Sequence, residues 1–204
     1  MGTKVINMDQ NTPGKNQEAT VEEKIKARRE RICNLLNGLE RKGTDRLLRY
    51  LDKNQFFTVP SSRHRHHNWR GGLAEHSLGV MELALKRNAN FESKDSIIVA
   101  ALLHDICKTR QLFYDERGKL RKRNLHIKGH GYRSIKILEE IGFPITEDER
   151  LAIRWHIGHW PKDPVQRKDR EKAQHCELWK IIYNADRKDA SLKKPRHTPQ
   201  KRRT

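Results

Sequence analysis

Cysteine is scarce in this chain. Cys33, Cys107 and Cys176 are odd in number, far apart and show no Cys-x-x-C pairing, which excludes a disulfide framework and reads as reduced thiols in a reducing, cytoplasmic compartment. Long apolar runs are missing too. No stretch approaches the roughly 20 apolar residues that a membrane-crossing helix requires, and Met1–Glu18 is polar, without a segment of secretory length. The expectation is a soluble cytoplasmic chain with no membrane partner.

Apolar residues make up only 34% of the total, with a mean hydropathy of -0.98, so part of the chain is expected to be solvated tail rather than core. Even so, 204 residues suit one domain whose core stands without staples. Acidic residues are the other shortage: 26 face 44 basic ones, leaving a formal charge of +18. Solubility alone rarely takes a small domain past a charge of about 8. The excess therefore implies a polyanionic partner or a phosphorylated substrate, a nucleotide or a nucleic acid. It is also concentrated. Residues Arg117 to Lys136 carry eight basic side chains and no acid, and Arg187 to Thr204 carry eight against the single Asp189. The second run reads as a solvated tail. The first lies between two candidate metal ligands, which makes Arg121, Lys122 and Arg123 candidate phosphate contacts.

What is present is helical pattern. Thr20-Val21-Glu22-Glu23 is a capping box, and behind it Val21, Ile25, Ile32, Leu35, Leu36 and Leu39 share one helical face. Leu47, Leu48 and Leu51 mark a second, short helix after Gly43. A basic loop, Arg63 to Arg70, then runs into Gly71-Gly72, where the backbone can approach a site closely before a helix that runs from Leu73 to about Asn88 and carries His76. Ser93 caps a helix whose apolar run, Ile97 to Leu103, ends in His104-Asp105. Asp115 to Lys122, around Gly118, reads as a turn or small hairpin. Ile135, Ile137, Leu138 and Ile141 form a helix stopped by Gly142 and Pro144. A second capping box at Thr146 opens a helix through Leu151, Ile153 and Trp155 to His156 and His159. A polar loop broken by proline is expected from Pro161 to about Arg170. The last helix places Leu178, Ile181, Ile182 and Ala185 on one face, with Asp186 beside it and Asp189 one turn further on. The pattern is all-α, with about seven helices over residues 20–191, between a disordered tail at 1–19 and a basic disordered tail at 192–204.

The chemistry concentrates at Leu102-Leu103-His104-Asp105-Ile106-Cys107-Lys108, because an imidazole and a carboxylate at the end of a buried run need partners. Burying an unpaired polar group costs about 2–7 kcal/mol, and a charge costs more. The candidates are His76, His130, His156, His159 and Asp186.

The ordered series His76, His104-Asp105, His130, His156, Asp186 resembles the HD superfamily of metal-dependent phosphohydrolases, named for the adjacent His-Asp pair. The resemblance spans about Phe56 to Ala190. Its wording is most similar to the HD domain of bacterial exoribonucleases that digest from the three-prime end: His66-His67-Asn68-Trp69-Arg70-Gly71-Gly72 leads into Glu75-His76-Ser77, and Ala185-Asp186-Arg187-Lys188-Asp189-Ala190 closes the match. The resemblance implies an HD-type helical bundle in which His76, His104, Asp105 and Asp186 hold one divalent ion. It also implies that Asp105 bridges to a second ion bound by His130 and His156. Imidazole and carboxylate donors suit Mn, Fe, Ni, Zn or Mg, and one or two such ions activate water for in-line attack on phosphorus. Asp105 and Lys108 are the catalytic candidates, Lys108 as a phosphate contact or as a lysine favoured by the helix dipole. Arg70 and His67 are further phosphate candidates. His64, His66, His126 and His175 are read as non-ligands.

Departures from the pattern shape the expectation. Two-metal relatives carry adjacent histidines where this chain has His156-Ile157, so the second site is weakened, absent, or rebuilt with His159 as an extra ligand. The stretch upstream of the HD region is too short and too helical for an oligonucleotide-binding β-barrel. The Gly-Tyr-Pro signature of cyclic-dinucleotide phosphodiesterases and the Glu-Asp pair of alarmone hydrolases are both missing. The leading expectation is a metal-dependent phosphohydrolase acting on a nucleotide or a nucleic-acid end. The alternatives are a non-catalytic nucleic-acid-binding or regulatory module with a structural metal site, and a di-iron oxygenase, for which the positive charge has no use.

Overall fold

The structure, a computed structural model, describes residues 19–124, 129–158 and 161–192. The expected tails, His126 and His159 lie outside the described residues, apart from the innermost residue of each tail, Ala19 and Leu192. The architecture is all-α. Among the described residues there are nine helices, one a single turn, and one two-stranded hairpin.

Two local decisions by the sequence set the frame. The capping box at Thr20 forms as expected: the Thr20 hydroxyl accepts from the Glu23 N–H, and the Glu23 carboxylate accepts from the Thr20 N–H at 2.7 Å, starting α1 (Val21–Gly38). The short α2 (Thr44–Lys53) follows. Helix α3 (Gly72–Arg87) begins after Gly71, whose φ of +78° is in the left-handed region where glycine alone is unstrained. A side chain at Gly72 would sit 2.1 Å from the His67 carbonyl oxygen, so the Gly-Gly pair is what lets the basic loop lie against the helix start.

The core is organised around α4 (Lys94–Leu103), capped by the Ser93 hydroxyl and buried at Ile97, Val99 and every residue from Ala100 to Leu103. After it come the single turn α5 (Lys108–Gln111) and the hairpin of β1 (Leu112–Tyr114) with β2 (Leu120–Lys122), antiparallel with Leu112 opposite Lys122. Helices α6 (His130–Ile141) and α7 (Glu147–Trp155) follow, the second opened by the expected Thr146 capping box. Helix α3 packs on α4 and on α9 (Glu177–Leu192), and α7 packs on α4, α6 and α9. One polar position on each of these central helices, or just past its end, therefore faces a common point.

The expectation for Pro161 to Arg170 is corrected. Pro164 begins a helix, α8 (Pro164–His175), because Asp163 caps it by accepting from the Gln166 N–H at 2.9 Å and a proline is tolerated in the first turn. Its apolar contact is small, chiefly Ala173 and the Arg170 guanidinium stacked 4.2 Å from the Trp179 ring. So short an apolar face leaves almost no periodic signal in sequence.

Candidate metal centre

Four elements deliver the donors. His76 comes from the second turn of α3, His104 and Asp105 from the turn that ends α4, His156 from the C-terminal end of α7, and Asp186 from α9. All are buried except Asp186, whose side chain is 18% exposed. The turn holding His104 is pinned by α6. The Ser134 hydroxyl donates to the His104 carbonyl at 2.6 Å and accepts from the Cys107 N–H at 3.4 Å.

The far ring nitrogens are each engaged by an oxygen. His104 Nδ1 lies 2.8 Å from the Ala101 carbonyl, His156 Nδ1 lies 2.7 Å from the Ile153 carbonyl, and His76 Nδ1 lies 2.7 Å from an Asp189 carboxylate oxygen. Carbonyl and carboxylate oxygens only accept, so each Nδ1 carries the proton and each neutral ring presents an Nε2 lone pair on the other side. Those Nε2 atoms converge. His76 Nε2 is 3.3 Å from His104 Nε2 and 3.1 Å from an Asp186 oxygen, and the Asp105 carboxylate divides its oxygens between His104 Nε2 at 3.8 Å and His156 Nε2 at 3.7 Å. Donors sharing one ion at bonds of about 2.0–2.2 Å stand roughly 3.0–3.5 Å apart, so His76 already has that spacing to both His104 and Asp186, while His104 Nε2 and the Asp186 oxygen stand 4.0 Å apart.

Electrostatics favour a cation. Burial pushes His104 down to about 4, so it is neutral. Burial works to raise Asp105, yet Lys108, His104 and His156 hold it well below the usual carboxylate range. Burial also opposes ionisation of Asp186, but the hydrogen bond with His76 keeps it near 2. For His76, burial disfavours the charged ring and is overcome by the Asp186 and Asp189 carboxylates, which raise it to about 9. Two carboxylates among imidazoles, Asp105 buried and Asp186 partly exposed, create a place for positive charge, and His76 takes a proton there when nothing else supplies it.

The remaining candidates fall around this point. His130 opens α6, half-buried, with Nδ1 3.9 Å from Cys107 Sγ and 3.2 Å from the Arg133 guanidinium. Asp105, Cys107 and His130 form a donor group of their own beside the group of His104, Asp105 and His156. Burial, with Lys108 next, lowers His130 to about 4. Lys108 Nζ lies 4.0 Å from Asp105 at the edge of the site. Arg70 pairs with Glu22 at 3.0 Å and lies over the Tyr114 ring, tying the basic loop to the hairpin. On the hairpin, Arg121 pairs with Asp115 at 2.7 Å, Lys122 is exposed and Arg123 stacks 4.3 Å from the Phe113 ring. His67 is fully buried against α3, with its backbone at a positive φ of 48°.

Sequence reasoning did not single out His66, Cys107 or Asp189 as part of this surrounding. His66, read as a non-ligand, falls in a donor group with His67 and His76, its ring centroid 4.8 Å from that of His76. For Asp189 a signal existed: it is three residues after Asp186 and so on the same helical face.

The family profile described as HD domain matches residues 73–191. A protein of Methanocaldococcus jannaschii described as dihydroneopterin 2',3'-cyclic phosphate phosphodiesterase is 32% identical over 113 residues, covering 52% of this chain and 45% of that protein. The chain thus spans less than half the length of that relative. No solved structure matches it.

Proposed function

The chain belongs to the HD domain family, and from that premise we propose that it is a metal-dependent phosphohydrolase, a phosphomonoesterase or phosphodiesterase acting on a nucleotide or on the end of a nucleic acid. The observation that carries the reading is the convergence of the His76 and His104 Nε2 atoms, 3.3 Å apart, on Asp186 and Asp105. His76, His104, Asp105 and Asp186 would hold the first divalent ion, and Asp105, His130 and His156 would serve a second. His159 lies outside the described residues. Manganese, iron, nickel, zinc and magnesium all accept such donors.

A divalent ion so placed supplies Lewis acidity and lowers the pKa of a water molecule toward neutrality. The chain does the rest. Ala101, Ile153 and Asp189 orient three rings before substrate arrives, so no reorganisation is needed when charge develops. Asp105, with one oxygen toward His104 and the other toward His156, fixes the centre of the site. Lys108 places an ammonium beside Asp105, where a transferring phosphoryl oxygen gains charge. Arg70 and the hairpin residues Arg121, Lys122 and Arg123 offer positive charge for the rest of a polyanion. The His66–Arg70 wording that resembles exoribonucleases supports a nucleic-acid end. The description of the Methanocaldococcus jannaschii relative supports a phosphodiester.

The test is release of phosphate or nucleotide from a panel of mononucleotides, cyclic phosphates and short oligonucleotides, with each metal added to stripped protein. Wild type should cleave at least one member, and His104→Ala should abolish cleavage. Metal-loaded protein that cleaves none, with His104→Ala altering stability alone, would overturn the reading. The exposed basic hairpin favours a second reading, a nucleic-acid-binding module with a structural ion. That reading predicts oligonucleotide binding that survives removal of the metal.

A further inference from the structure

We propose that Asp189 is a positioning residue whose single carboxylate sets the metal-facing tautomer of His76 and anchors the His66–His67 loop beside it. The inference rests on the metal-binding reading above and deepens it. Asp189 is 4% exposed, on the turn of α9 that follows Asp186. Its Oδ2 lies 2.7 Å from His76 Nδ1 and 3.4 Å from His67 Nε2. The first contact is a full hydrogen bond. The second is a close approach of the carboxylate to a neutral ring, outside hydrogen-bond geometry, since His67 Nε2 has no hydrogen-bond partner among the described residues.

The consequence follows from acceptor chemistry. A carboxylate facing His76 Nδ1 keeps a proton on that nitrogen, so the lone pair stays on Nε2, 3.1 Å from Asp186 and 3.3 Å from His104 Nε2. Without that carboxylate, the tautomer with a protonated Nε2 competes, and a ring in that state offers the ion nothing. The same oxygen favours a proton on His67 Nε2, leaving the His67 Nδ1 lone pair toward His66 Nδ1, 3.2 Å away. That assignment makes His66 Nδ1 the donor of the pair and puts the ring lone pair of His66 on its Nε2.

Two features show that the chain is shaped around this carboxylate. A Cβ at Gly79, one turn along α3 from His76, would lie 2.2 Å from Asp189 Oδ1, so glycine there makes the space Asp189 fills. His67 is held with a left-handed backbone while its carbonyl accepts the Ser61 N–H at 3.1 Å. A non-glycine residue persists there only where its surroundings over-determine it.

The experiment titrates metal-stripped protein with cobalt(II), following visible absorption, alongside the thermal unfolding midpoint of each metal-free variant. Asp189→Ala should weaken cobalt binding roughly 10–100-fold and alter the absorption band. Asp189→Asn should fall between, because its amide oxygen still accepts from Nδ1 but carries no charge. Gly79→Ala should reproduce the weakening with every donor still present. Its metal-free midpoint should fall only slightly, because the crowding of a buried carboxylate is partly offset by the preference for alanine over glycine inside a helix. Wild-type affinity and spectrum in Asp189→Ala and Gly79→Ala would overturn the proposal, as would losses that merely track a lower metal-free midpoint. Failure of wild type itself to take up cobalt would sink both this proposal and the metal reading. Uptake that depends on Asp189, without cleavage of any phosphate ester, would leave the positioning role standing and remove the phosphohydrolase.

Discussion

At the scale of single residues, the metal-free site is a set of opposed titrations. His67, His104 and His130 each sit at about 4 in the folded chain, all three mainly because burial penalises the charged ring, against an ordinary 6.5. Between those values the unfolded chain binds more protons, so the stability these rings contribute is complete above about pH 6.5 and is lost as pH falls toward 4. His76 has the opposite sign. Raised to about 9, it contributes stability that is full below pH 6.5 and lost as pH rises through 9. Metal-stripped protein should therefore unfold at its highest temperature between these windows, with lower midpoints near pH 5 and above pH 9, measured by calorimetry. A midpoint that climbs steadily from neutral pH down to pH 5 would contradict the buried neutral rings. Lys108 gives a second expectation: Lys108→Ala should lower kcat about 100-fold with bound metal unchanged, as loss of one charge-stabilising donor does. Legibility at this scale was uneven. His104-Asp105 announced itself because two polar residues ended an apolar run. Asp189 did not, because a carboxylate beside Asp186 on the same face looks the same in sequence whether it meets solvent or a buried imidazole.

Elements carry these residues to their places, and their ends matter more than their middles. Helix α7 delivers His156 from its last turn, while its first turn holds Glu149, fully buried, which closes the Thr146 capping box and takes a two-pronged contact from Arg41 at 2.6 and 2.7 Å. Arg41→Ala would strand that carboxylate. The expected loss is roughly 3–5 kcal/mol, the range for uncoupling a buried ion pair, read from denaturant unfolding, whereas a change under about 1 kcal/mol would mean the pair behaves as a solvated one. Both capping boxes were legible because four residues suffice to encode them. The helix α8 was not, since Pro164 reads equally as a breaker or as a first-turn residue and only the Asp163 cap decides. The joining of α5, the hairpin and α6 to one side of the site depends on contacts such as Arg70 with Tyr114, which no local pattern contains.

Over the whole molecule, charge and site belong to one account. The formal charge of +18 and the exposed hairpin arginines predict that oligonucleotide binding falls steeply with salt, with a slope that counts the phosphates contacted, while hydrolysis of a mononucleotide changes little. Replacing Arg121, Lys122 and Arg123 together by Ala should reduce that slope by about 2–3. An unchanged slope would place the polyanion elsewhere. The class of fold was readable because helical periodicity and the spacing of His76, His104-Asp105 and Asp186 agree. Their convergence was not, because it is made by α3, α4, α7 and α9 packing together over more than a hundred residues of chain. Among the described residues, no helix is long and apolar enough to cross a membrane. The most direct measurement is anomalous diffraction from crystals of the manganese- or zinc-loaded protein. The account predicts a peak within about 2.0–2.3 Å of His76 Nε2, His104 Nε2 and oxygens of Asp105 and Asp186. Density for the ion elsewhere, with those four side chains holding only water or each other, would contradict it.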